Sequence, residues 1–126
     1  MKKQVIAVMV LVLGLFVTTN SFAGDFKGGS WAMAYTSPDQ KTIIPSVVVF
    51  PMHSGEIFQV WVDAQNNNLG SCVVLPVYPD GTIGEAKAEN QANFEIYSSR
   101  DAVWTVLCGA KTGTTDFFSI IILDKQ

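Results

Sequence analysis

From Ser30 onward, apolar residues recur with a period of two or in short β-branched runs, between clusters of Gly, Pro, Asn and Asp. That is the pattern of strands buried on one face and separated by turns. Ser30–Thr36 sets Trp31, Met33 and Tyr35 on one face and Ala32 and Ala34 on the other. After Ser37-Pro38-Asp39 comes Thr42–Phe50, dense in Ile and Val, where Pro45 predicts a sheet edge or a bulge. Pro51–Gly55 turns the chain into Ile57–Asp63, with Phe58, Val60 and Val62 facing one way and Ile57, Gln59 and Trp61 the other. The cluster Asn66–Ser71 reads as a turn, Cys72–Tyr78 as a strand, and Tyr78-Pro79-Asp80-Gly81 as a second turn.

The next stretch carries two signals. Thr82–Glu85 resembles a helix capping box, and Glu85–Asn93 holds fair helix formers. Against that, Ala86, Ala88, Ala92, Phe94 and Ile96 alternate with polar neighbours, so strands broken near Asn90 are expected. Ala102–Cys108 and Phe117–Leu123 complete the set, the last apolar on both faces and therefore expected in the middle of a sheet. Seven or eight short strands make this an all-β chain, a small antiparallel β-barrel or β-sandwich. No repeat or linker divides it, and residues 24–126 are expected to form one domain.

The chain's beginning changes the compartment. Met1-Lys2-Lys3, the apolar run Val5–Val17 and the small-residue site Ser21-Phe22-Ala23 have the form of a signal peptide cut after Ala23. The run is shorter than the roughly 20 residues that span a bilayer, so no stable membrane insertion is expected. A secreted or periplasmic product meets oxidising conditions, and its two cysteines, Cys72 and Cys108, are expected to form one disulfide. Metal binding is not expected, since zinc needs more nitrogen and sulfur ligands than the chain offers. No cofactor motif appears. The lysine-rich start and the lack of Asn-x-Ser/Thr sites fit a bacterial product.

Without Lys2 and Lys3 the chain keeps 6 Lys and Arg against 11 Asp and Glu, a net charge of −5. Such a surface repels phosphate backbones and anionic membranes, which excludes nucleic acid as a natural partner. Catalytic material is sparse. His53 is the only histidine and lies in a turn, and no nucleophile elbow or metalloprotease motif accompanies it. Glu56 with Asp63, or Asp80 with Glu85, would be the carboxylate pairs of a small secreted hydrolase, but carboxylates at turns are ordinarily just solvated.

Binding is the stronger reading, with a protein or glycan as partner in a host-directed or inhibitor-like role. Trp31 and Trp104 sit in phase with other apolar residues and are expected in the core. Trp61 shares its face with Gln59 and Asp63 and is expected to be exposed for contact. Asn66, Asn67 and Asn68, together with Lys111 and Thr112 in the loop Ala110–Thr115, supply hydrogen-bonding groups at turns, where recognition commonly resides.

Two segments also resemble the receptor-binding B subunits of cholera-type enterotoxins. Val47–Phe50, a turn and Gly55–Val62 resemble their central hairpin, while Leu107-Cys108, a Lys/Thr turn and Phe117–Leu123 resemble their final one. The resemblance implies a five-stranded OB barrel, a homo-oligomeric ring and a cell-surface glycan as ligand. That family pairs its late cysteine with one near the mature N-terminus, whereas Cys72 is the only partner here, and its long central helix falls where this chain alternates. No binding residue is therefore carried across.

Overall fold

The structure, a computed structural model, describes residues 24–125, so the signal-like segment and its cleavage site lie outside the described residues. Among the described residues nine strands follow in order: β1 (Phe26–Thr36), β2 (Ile43–Ile44), β3 (Ser46–Met52), β4 (Ile57–Ala64), β5 (Leu69–Val77), β6 (Lys87–Glu89), β7 (Asn93–Tyr97), β8 (Ala102–Ala110) and β9 (Thr114–Asp124). Seven have five residues or more, while β2 and β6 are two and three residues long. No helix occurs among the described residues. One sheet has the order β2-β1-β9-β4-β7 and the other β3-β8-β5-β6, and all pairings are antiparallel. The protein is all-β, with its strands in two antiparallel sheets.

Alternation in the sequence becomes the two faces of each sheet. Phe58, Val60 and Val62 of β4, with Phe118, Ile120 and Ile122 of β9, point inward from the first sheet. Val48, Phe50 and Met52 of β3 and Val106 and Cys108 of β8 meet them from the second. The Phe50 and Phe58 rings meet across the interior at 5.8 Å. Fully burying such side chains contributes about 1.5–3 kcal/mol each, which makes this layer the main stabilising term. β9 lies in the middle of its sheet, as its two apolar faces predict.

Prolines and glycines set where strands change role. Pro45 separates β2, on one edge of the first sheet, from β3, on one edge of the second. Its missing N–H costs no ladder bond at that corner, where the chain passes between layers. Leu69, Gly70 and Ser71, expected in a turn, belong to β5 and carry a bulge. A Cβ on Gly70 would lie 3.1 Å from the carbonyl oxygens of Gly109 and Ala110, so the close approach of β8 selects glycine there. The loop expected over Ala110–Thr115 narrows to residues 111–113, closed by Gly113 at φ 77°.

The ambiguous stretch resolves as strands. Thr82 does not cap a helix. Its N–H and hydroxyl both donate to Asp80 Oδ1, at 3.0 and 2.6 Å, and Ile83 bridges Val77. β6 and β7 flank a break at residues 90–92, and Phe94 and Ile96 are buried while Asn93, Glu95 and Tyr97 are exposed.

Cys72 and Cys108 form a disulfide between directly opposed positions of β5 and β8, both fully buried. Such a bond is consistent with an extracellular or periplasmic location. No helix among the described residues is long and apolar enough to cross a membrane.

Candidate functional site

One expectation about the tryptophans is overturned. Trp31 is 69% exposed, although its phase with other apolar residues placed it in the core. The reason is steric. β1 passes so close to β3 that a Cβ on Gly28 would touch Phe50 Cβ at 3.7 Å and Val48 Cγ2 at 3.9 Å. Only the small series Gly28, Ser30, Ala32 and Ala34 fits in that gap, so Trp31 and Met33 turn outward. Trp104 behaves more as expected, half-buried against the core with its Nε1 donating to Ser98 Oγ at 2.9 Å. Trp61 is exposed, at 46%.

The outer face of the first sheet therefore carries both exposed tryptophans. Cross-strand register aligns Trp31, Ser119 and Asp63 in one row and Gly29, Ile121, Trp61 and Asn93 in the next. Two strands and two residues apart, their backbone positions stand about 12 Å from each other on a sheet of ordinary spacing. The Trp31 ring stacks on Phe117 at 4.9 Å and 15°, which stiffens both before any partner arrives. Met33, directly opposite Phe117, extends the apolar part. Gln59 lies beyond Trp61, and its Nε2 donates to Asn93 Oδ1 at 2.7 Å. Aromatic anchors thus sit beside a fringe of amides and carboxylates.

The remaining residues singled out in the sequence gather elsewhere, at one end of the sandwich. Lys111 N donates to Asn68 O at 2.8 Å, and Gln40 Nε2 donates to Thr112 Oγ1 at 3.0 Å. These bonds tie together the loop after β1, the turn Asn66–Asn68 and the β8–β9 turn. Beneath them lies an open groove of about 680 Å³ with Ile43, Pro45, Val73 and Leu107 as apolar walls and Lys111 and Thr112 on its rim. Trp61 and Gln59 are not part of this cluster. The sequence-derived residues therefore form two sites.

Asp116 is the residue that sequence reasoning missed. It is 2% exposed on β9, yet its carboxylate accepts from Asn66 N and Asn68 N at 3.0 Å and from Phe117 N at 2.7 Å. It shapes the Asn66–Asn68 turn, which in turn holds Asn67 at φ 59°. A carboxylate in the buried phase of an apolar strand, two residues before Phe118, was the available signal.

Asp39 performs a similar task in the groove's upper loop. The Ser37 hydroxyl, at 2.6 Å, and then the Lys41 amide, at 3.0 Å, hold its carboxyl below the ordinary aspartate value. A pKa depressed by folding means that this loop order is complete above the ordinary aspartate range and is lost as pH falls through the lowered value. Amide shifts of Lys41 followed by NMR should report a midpoint below 3.8; a midpoint at or above 3.8 would contradict these bonds.

The catalytic candidates do not converge. His53 is exposed, 3.9 Å from Asp101, and the neighbouring Ser54 hydroxyl donates to Ser99 O rather than to the imidazole. Glu56 accepts from His53 N, and Asp80 caps its own turn. These carboxylates close turns. Among the described residues no three His, Cys, Asp or Glu side chains converge as a metal site.

No protein-family model matches the chain, and no curated protein sequence does.

Proposed function

We propose that this is an exported, non-catalytic binding protein that recognises another protein through the outer face of its five-stranded sheet. One observation carries the reading: Trp31, stacked on Phe117 and flanked by Met33, stands on the same face of the sheet as Trp61. Trp, Met and Phe are the residue types enriched at the centres of protein interfaces, where a few rigid aromatic anchors supply most of the binding energy. The side chains around them fit a polar rim: Asp63, Asn93 and Glu95 are exposed on the same face. Export is supported by the signal-like segment Met1–Ala23 and by the buried disulfide.

The test compares partners captured from host or neighbouring-cell surface extracts by the protein and by Trp31→Ala and Trp61→Ala. Each truncation is expected to weaken the captured interaction about 30-fold or more, the effect of losing roughly 2 kcal/mol or more at an anchor. The circular dichroism spectrum should stay unchanged, because both side chains point away from the core. Capture indifferent to both substitutions would refute the reading. Binding confined to a glycan array would replace the protein partner with a sugar.

A further inference from the structure

The second sheet's outer surface is of another kind. Register aligns Val47, Leu107 and Val73 in one row, Val49, Thr105 and Leu75 in the next, and Pro51, Val103 and Val77 in a third. Thr105 is the only polar side chain among them, and Val49 is 58% exposed. We infer that this aliphatic face is where a second copy of the chain docks, the two four-stranded sheets packing face to face.

Three observations select that occupant. First, the three rows offer no charge or amide by which a polar partner would be recognised, so their complement is a surface as apolar as themselves. Each copy of the chain supplies one. Second, the area fits a weak, reversible pair. Three strands about 4.8 Å apart, carrying three rows two residues apart, present a patch of roughly 15 by 20 Å. The accessible area of such a patch, about 400–500 Å², is one partner's share of a small, transient interface. It is comparable with the largest apolar patch of a typical monomer, and such patches are often functional.

Third, the two ends of the face carry opposite charge. Lys41 and Lys111 lie at the end where β8 finishes, while Asp80, Glu85 and Asp101 lie at the end where it begins. Asp39 at the basic end is bonded within its own loop, and Arg100 at the acidic end is 3.8 Å from Asp80. A two-fold axis in the plane of the face and across the strands sets each basic end against the partner's acidic end. Sheets packed this way keep their strands within about 30° of one another and interleave their side chains at about 10 Å. Because both copies use the same patch, the pair closes on itself.

Sedimentation equilibrium of the protein should give a dimer at about 50 µM, and Val49→Lys should raise the dissociation constant about 100-fold or more. A carbodiimide should couple Lys111 of one copy to Asp80 or Glu85 of the other, identified in mixtures of isotopically light and heavy chains. Should Val49→Lys fail to fold, Thr105→Arg makes the same test from the centre of the face. Trp31→Ala should remain dimeric, which separates this inference from the aromatic-face reading. A monomeric wild-type protein at about 1 mM would overturn it. So would folded Val49→Lys or Thr105→Arg that still dimerises, or flotation of the wild type with phosphatidylcholine vesicles that Val49→Lys abolishes.

Discussion

Asp116→Ala is expected to destabilise the protein by about 2–4 kcal/mol. The carboxylate gathers the backbone N–H groups of Asn66, Asn68 and Phe117 at a position almost closed to water. Truncation leaves those donors without an acceptor, and the cost of such unmet donors exceeds the modest net worth of the bonds themselves. Asp116→Asn should cost nearly as much. An amide has one acceptor oxygen, and its NH₂ would face groups that are themselves donors. Urea unfolding reads both variants through a lower midpoint with an unchanged slope. A loss below about 0.5 kcal/mol for Asp116→Ala, within the range of ordinary surface changes, would show that water replaces the carboxylate freely. The Asn66–Asn68 turn should also loosen, seen as faster exchange of its amide protons.

The double change Cys72→Ala with Cys108→Ala is expected to cost about 3–4 kcal/mol, comparable with the Asp116 effect. Most of that arises in the unfolded chain, where the bond closes a loop between positions 36 apart in sequence. Part arises in the folded state, because both sulfurs are enclosed in the core and alanine leaves space behind. Strand pairing itself should survive, since β5 and β8 remain joined by ladder bonds from Leu69 to Val77. The variant should therefore keep its circular dichroism spectrum at low temperature while its urea midpoint falls. A variant unfolded in water would mean that the sheets alone fall short of the conformational entropy they must overcome.

Period-two alternation and short β-branched runs between turn clusters together located the long strands, because half-buried and fully buried strands each leave one of these traces. The disulfide was equally legible, as two cysteines allow only one intramolecular pairing. What alternation cannot show is which face points inward when both are apolar. Trp31 and Met33 against Ala32 and Ala34 is such a case, and the closeness of β1 to β3 decided it in favour of the small residues. Val47, Val49 and Val73 pose the same difficulty, because β-branched residues suit any strand and their exposure depends on whether a layer covers them. Trp61 was readable because its own face already carried Gln59 and Asp63. Asp116 was not read, since its meaning depends on donors about 50 positions earlier in the chain.

The two outer surfaces of the sandwich lie back to back. Copies joined through their valine-rich sides would hold their tryptophan-bearing sides pointing in opposite directions. Such a pair would bridge two separate target molecules and gain little from two sites on one flat target, since neither spacing nor flexibility lets both engage it together. Its effect on a multivalent target would be to link and precipitate rather than to grip more tightly.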